Sequence, residues 1–139
     1  MALTPEERER FLSEPRIGAL AVGRGEKRGP LNVPIWYQYE PGGELWVLTA
    51  RDSVKAREIA RAGRFTILAE RLDPTVRYAS AEGPVITTTT TTEAELREMT
   101  ARYLRPDRVD AYVAEGSAEK NVTIRMRPEH WLAADLGAI

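Results

Sequence analysis

Between Thr49 and Arg57 the chain places two hydroxyls and three cations within nine positions: Thr49, Arg51, Ser53, Lys55 and Arg57. The stretch reads as the end of a strand and a polar turn that opens a helix. A helix mouth of this kind offers N–H donors, the positive end of a dipole and charge-assisted hydrogen bonds, which is what a phosphate group needs. A solvated helix with a serine or aspartate cap has the same spacing, so the pattern alone leaves both readings open. Neither a Gly-rich P-loop nor a G-x-G-x-x-G run is present. The chain has no cysteine, which removes disulfides, zinc–thiolate sites, thiol nucleophiles and iron–sulfur clusters of the usual kind. Its one histidine, His130, excludes a two-His metal site in one chain. It lies in Pro128-Glu129-His130-Trp131 and reads as an exposed or edge-strand residue. No side chain stands out as an acid, base or nucleophile, so any hard chemistry must come from a bound cofactor.

The elements that position this turn come immediately before it. Leu31, Val33, Ile35, Tyr37 and Tyr39 alternate with Asn32, Pro34, Trp36 and Gln38, the period-two mark of a strand with two different faces. Pro34 cannot donate to a ladder and therefore marks a bulge or an edge. Pro41-Gly42-Gly43 is turn punctuation, and Glu44 to Thr49 returns as the second strand of a hairpin. Trp36, Tyr37 and Trp46 read first as core packing and only second as the walls of a flat ligand site. The helix runs from about Asp52 to Ala62, with Gly63 just past its end.

Thr4-Pro5-Glu6-Glu7 carries a capping box with proline at the first helical position and predicts a helix to Leu12 or Ser13. Phe11 and Leu12 give it a small apolar patch, suited to a lid over an open edge or end. Ile17 to Val22 is a short buried strand, followed by a polar loop over Gly23 to Gly29. Arg64 to Glu70 is a strand, and a long one runs from Val76 into the threonine run, bent at Gly83-Pro84. Thr87 to Thr92 is its solvated end, without a chemical role. Thr92-Glu93-Ala94-Glu95 is a second capping box, starting a helix to about Leu104, and Asp107 caps a shorter one. Val122 to Met126 and His130 to Ala134 close the chain. Strands of steady length, hairpin connections and one bent strand predict a small antiparallel barrel.

With 42% hydrophobic and 29% charged residues, the 139-residue chain reads as one soluble domain, residues 1–139. A net charge of −1 gives no bulk field for nucleic acid or an anionic membrane. No apolar run approaches the roughly 20 residues of a membrane span, and no signal-peptide core opens the chain. These features fit a cytoplasmic location.

Several of these stretches carry a resemblance. Val33-Pro34-Ile35-Trp36-Tyr37, Gly43-Glu44-Leu45-Trp46-Val47-Leu48-Thr49 and Ser53-Val54-Lys55-Ala56-Arg57 resemble the pyridoxamine 5'-phosphate oxidase-like group, the FMN-binding split barrels. Arg77 to Pro84 is similar to a later strand of that group and Ala101-Arg102-Tyr103-Leu104 to its helix. Within the group the flavin/deazaflavin-dependent oxidoreductases are most similar. The resemblance implies a mainly β (α+β) fold, an antiparallel split β-barrel with a few flanking helices. It also implies a homodimer with cofactor sites at the interface. Carried over, Arg51, Ser53 and Lys55 would hold the phosphate of FMN or coenzyme F420, with Thr49 and Ala50 beside the ribityl chain and Arg57 near. Val33, Pro34 and Trp36 would wall the ring, and Tyr78 or Trp131 would come from the partner subunit. Arg24, Lys27 and Arg28 would meet the oligoglutamate tail of F420. The implied activity is hydride transfer with a small planar or conjugated organic substrate. The alternative is a non-catalytic protein that stores or senses a flavin, haem or other flat ligand. The carboxyl-terminal Arg and His pattern of true pyridoxamine phosphate oxidases is not visible, which argues against vitamin B6 oxidation.

Overall fold

Alternating burial closes this chain on itself. The computed structural model describes residues 1–139. Its strands are β1 (Gly18–Val22), β2 (Leu31–Ile35), β3 (Tyr37–Tyr39), β4 (Leu45–Ala50), β5 (Arg64–Arg71), β6 (Val76–Thr90), β7 (Asn121–Met126) and β8 (His130–Gly137). Every second residue turns inward: Gly18, Leu20 and Val22 on β1, Phe65, Ile67 and Ala69 on β5, and Ala79, Ala81 and Gly83 on β6. Neighbouring strands are antiparallel in the order β2-β1-β5-β6-β7-β4-β3, with β8 added to β6.

Two paths join the halves of this sheet. β6 pairs with β5 through Arg77 to Pro84 and with β7 from Val85 onward, with a register shift between Val85 and Thr87. β2, paired with β1, passes through a single irregular residue, Trp36, into β3, paired with β4. Both paths serve both halves, and the result is an antiparallel split barrel, mainly β with four flanking α-helices. The expected single strand over Leu31 to Tyr39 is interrupted at Trp36 because the chain changes sheets there. Pro34 lies on the edge strand β2, opposite Ala19, where proline is tolerated. The bend expected at Gly83-Pro84 falls at the bulge just after it. Gly83 itself meets the β7–β8 connection: a Cβ there would stand 1.8 Å from the Arg127 carbonyl oxygen.

The helices are α1 (Pro5–Ser13), α2 (Val54–Ala62), α3 (Glu93–Tyr103) and α4 (Pro106–Glu115). Both capping boxes form, Thr4 with Glu7 and Thr92 with Glu95. The patch on α1 is more than a lid. Phe11 and Leu12 are fully buried members of the 18-residue cluster that fills the barrel. Asp107 does not cap α4. Arg105 stands at the N-cap without a side-chain bond and Pro106 opens the helix, which leaves Asp107 in the first turn, where its charge suits the dipole. α3 and α4 lie over the outer face of β4, joined by a cluster of three, Leu96, Val109 and Val113, against Leu48. No helix is long and apolar enough to cross a membrane.

Candidate functional site

The polar turn is built by its own hydroxyls. Ser53 Oγ accepts from the Ala56 N–H at 3.0 Å as the N-cap of α2, and shares a 2.8 Å hydrogen bond with Thr49 Oγ1. With Thr49 donating, the Ser53 O–H stays free for an anion. The N–H groups of Val54 and Lys55, at the first two helical positions, have no intrahelical partner by the geometry of a helix start. No acid stands in the first turn. Lys55 is half-buried and makes no ion pair or hydrogen bond. Arg51 donates through Nη2 to Thr90 Oγ1 at 2.9 Å and to the Glu119 carbonyl at 3.3 Å, and its main-chain N–H reaches the Lys120 carbonyl at 2.9 Å. The threonine run therefore has structural uses. Thr90 holds Arg51, Thr91 is buried against Thr123 at 3.0 Å, and Thr92 caps α3. Arg57 is exposed and donates to the Asp52 carbonyl at 3.3 Å.

From this turn the β4–β7 ladder leads to a cavity, because Ala50 pairs with Asn121. The cavity, about 460 Å³, lies between the barrel's outer face and the α3–α4 pair. Pro34, Trp36, Leu48 and Asn121 line it on the barrel side, and Met99, Thr100 and Tyr112 on the helix side. Trp36 stacks on Tyr103 with centroids 4.8 Å apart and an 11° interplanar angle, and meets Tyr112 at 5.7 Å and 34°. Asn121 Nδ2 donates to the carbonyls of Gly116 and Ser117, each at 3.3 Å, which fixes the end of α4 to the mouth of the cavity. The lining holds no carboxylate, lysine, arginine or histidine. It is an apolar slot with a polar end, of the size small ligands occupy.

The sequence-predicted residues divide by place. Thr49, Ala50, Arg51, Ser53 and Lys55 gather at the α2 mouth, and Pro34 and Trp36 in the cavity wall. Pro34 also borders a shallower groove of about 420 Å³ on the outer face of β1, β2 and β5, with Ile17, Val33 and Leu68. Val33 packs its side chain against the barrel core. Tyr78, between Glu70 and Ala134 in the ladder, lies on that same outer face. Trp131 stands apart, on the inner side of β8 under the Arg8 guanidinium at 4.9 Å and edge-on to Tyr39 at 5.9 Å. The loop after β1 docks on α2, Arg24 pairing with Glu58 at 3.2 Å and Arg61 donating to the Gly23 carbonyl. His130 is exposed on β8, which pairs with β6 and, through Ala134, with Ala2 of the amino-terminal segment.

Perturbed protonation marks the scaffold and not the cavity. Burial pushes the Tyr37 phenol up to about 12, against the pull of Arg102, and its O–H donates to the Leu12 carbonyl at 2.7 Å. Burial and then Glu9 raise Tyr39 as well. Burial works to raise Glu95, but hydrogen bonds from the Thr92 N–H, Arg125 and Thr123 outweigh it and leave the carboxyl below its usual range. The Thr75 hydroxyl, the Gly137 N–H and Arg77 hold Asp135 down at about 2.

Sequence reasoning missed Tyr103, Tyr112, Met99, Thr100 and Asn121. The spacing of Leu96, Met99, Thr100 and Tyr103 on α3 is an inward helical stripe and signals a packed face. Nothing in that spacing says the face is set against Trp36.

No family model matches the chain, and no curated protein matches it. Solved structures do. A conserved hypothetical protein from Mycobacterium tuberculosis is 26% identical, with 97% of this chain and 86% of that one covered and a TM-score of 0.76. A protein described as an F420 reductase is 22% identical over 92% of this chain and 98% of its own, with a TM-score of 0.75. The FAD binding protein from Mycobacterium smegmatis is 16% identical over 98% and 99%, with a TM-score of 0.64. The fold is the split barrel of the pyridoxamine 5'-phosphate oxidase-like group.

Proposed function

We propose that this chain binds F420 or FMN and transfers hydride between that cofactor and a small planar or conjugated organic molecule. One observation carries the reading: a half-buried, unpaired Lys55 in an α2 first turn without acids, on the helix that follows β4, whose last residue Ala50 pairs with Asn121 of the aromatic cavity. The donor set fits a phosphate, and the cavity fits part of a flat ring system. Lys55, Arg51, the Ser53 hydroxyl and the free N–H groups of α2 would hold the phosphate. Pro34 and Trp36 would wall the ring. When bound, either cofactor would supply the hydride chemistry, and the chain's own part is to grip, orient and keep water from an apolar slot. Lys27 and Arg28, exposed beside Arg24 on the docked loop, would meet the tail of F420. The likeness to an F420 reductase and an FAD binding protein supports a flavin-type cofactor.

The outer face of β1, β5, β6 and β8 exposes Leu132. With Tyr78 and Pro34 on it, this face is where a second copy would complete the site in a homodimer. Lys55→Ala tests the grip: FMN or F420 affinity should fall roughly 10- to 100-fold, the equivalent of about 1.5–3 kcal/mol for a charge-assisted contact, with the fold retained. Undiminished affinity refutes it. A storage or sensing role is favoured by one feature, the absence of any acid or base in the cavity lining apart from the Tyr112 phenol. Turnover of reduced cofactor with enones, quinones or tetrapyrroles separates the two readings.

A further inference from the structure

Where β2 gives way to β3, the main chain loses its neighbour on one side. β3 pairs only with β4, and the N–H and C=O of Tyr37 both face the free edge. Orphaned main-chain groups in a half-buried setting need partners. The structure supplies them from one side chain, the Tyr103 hydroxyl at the end of α3. It accepts from the Tyr37 N–H at 3.1 Å, and its single proton is shared between the carbonyls of Tyr37 at 2.9 Å and Arg16 at 2.8 Å. One phenol thus stands in for a missing strand. Its ring lies nearly parallel to the Trp36 indole, 4.8 Å away. The neighbouring Arg102 locks this end of α3 in place, through Nη1 to the Ser13 carbonyl at 2.7 Å and Gln38 Oε1 at 3.0 Å, and through Nη2 to the Glu14 carbonyl at 3.0 Å.

We infer that Tyr103 is a positioning residue. Its hydroxyl fixes the main chain on the carboxyl side of Trp36, its ring fixes the indole plane, and together they set the aromatic wall that a flat ligand meets. Tyr103 does not line the cavity, so its action on a ligand passes through Trp36. This deepens the proposed ligand site and rests on that reading only for its ligand arm.

The test uses the full chain labelled with 5-fluorotryptophan, which gives one fluorine resonance for each of Trp36, Trp46 and Trp131, and the Tyr103→Phe variant. Without ligand, Tyr103→Phe should shift the Trp36 resonance and leave the other two in place. With riboflavin, which has the ring but no phosphate, and with FMN, affinity should fall by the same factor, about tenfold, because only ring contacts are lost. Lys55→Ala should weaken FMN alone. An unmoved Trp36 resonance overturns the inference, and so does a moved resonance with undiminished riboflavin and FMN binding. If the unaltered chain binds neither compound, F420 replaces them in the same comparison; if F420 does not bind either, the functional reading fails while the fluorine arm still decides the positioning role. Should the variant not fold, the unaltered chain decides: nuclear Overhauser contacts from the Tyr103 hydroxyl to the Tyr37 amide support the inference, and their absence overturns it.

Discussion

The inside of the barrel and the seam under α3 and α4 are built on different terms. The barrel is filled by 18 mutually packed residues drawn from seven of its strands and two helices, with Leu20, Tyr37, Leu45 and Ile67 fully buried. The seam is held by a cluster of three, Leu96, Val109 and Val113, by Met99 and Thr100 buried on α3 beside the cavity, and by ties at its ends such as Asn121 and Arg102. The cavity opens in the seam. A continuous core sets a rigid frame, while a thinly packed layer leaves room for a ligand without unpacking that frame.

If the frame is the barrel, its interior should be the costliest place to remove volume. Phe65→Ala is expected to lower stability by about 3–5 kcal/mol, read as a reduced urea midpoint with an unchanged slope. Lys55→Ala should sharpen the contrast from the other side, with a binding loss of about 1.5–3 kcal/mol and a thermal midpoint near that of the unaltered chain. Val113→Ala removes two methyl groups from the seam and should cost about 1.5 kcal/mol, half or less of the barrel effect. Equal losses for Phe65→Ala and Val113→Ala would erase the distinction. The smallest effect concerns Asp135, near the α1 end and far from the seam. Its carboxyl is held below the ordinary 3.8, at about 2, so it contributes stability above pH 4 that disappears as pH falls through about 2. Asp135→Asn should therefore flatten the stability profile between pH 4 and 2 and leave ligand affinity unchanged. A profile as steep as before would show that another carboxylate governs that range.

Local signals made the barrel legible. Two capping boxes, a proline on an edge strand, Gly63 at φ 74° and strand alternation all act within a few residues, and each appears where the sequence places it. The break at Trp36 was not legible, because nothing in Leu31 to Tyr39 says that the strand must change sheets. The α2 mouth could be read because five chemically telling residues are consecutive or nearly so. The cavity could not, since Trp36 and Tyr103 are brought together only by closure of the fold. Aromatic type alone also does not say which way a residue such as Trp131 faces; its pairing with Ala81 turns it inward toward α1.

The central claim is that one chain grips a phosphate at α2 and walls a flat ring at Trp36. Parallel equilibrium titrations with FMN and with F420, followed by tryptophan quenching, test it most directly. The account predicts micromolar or tighter binding of at least one, with quenching that is lost in Trp36→Phe. Binding of neither at micromolar concentrations would contradict it.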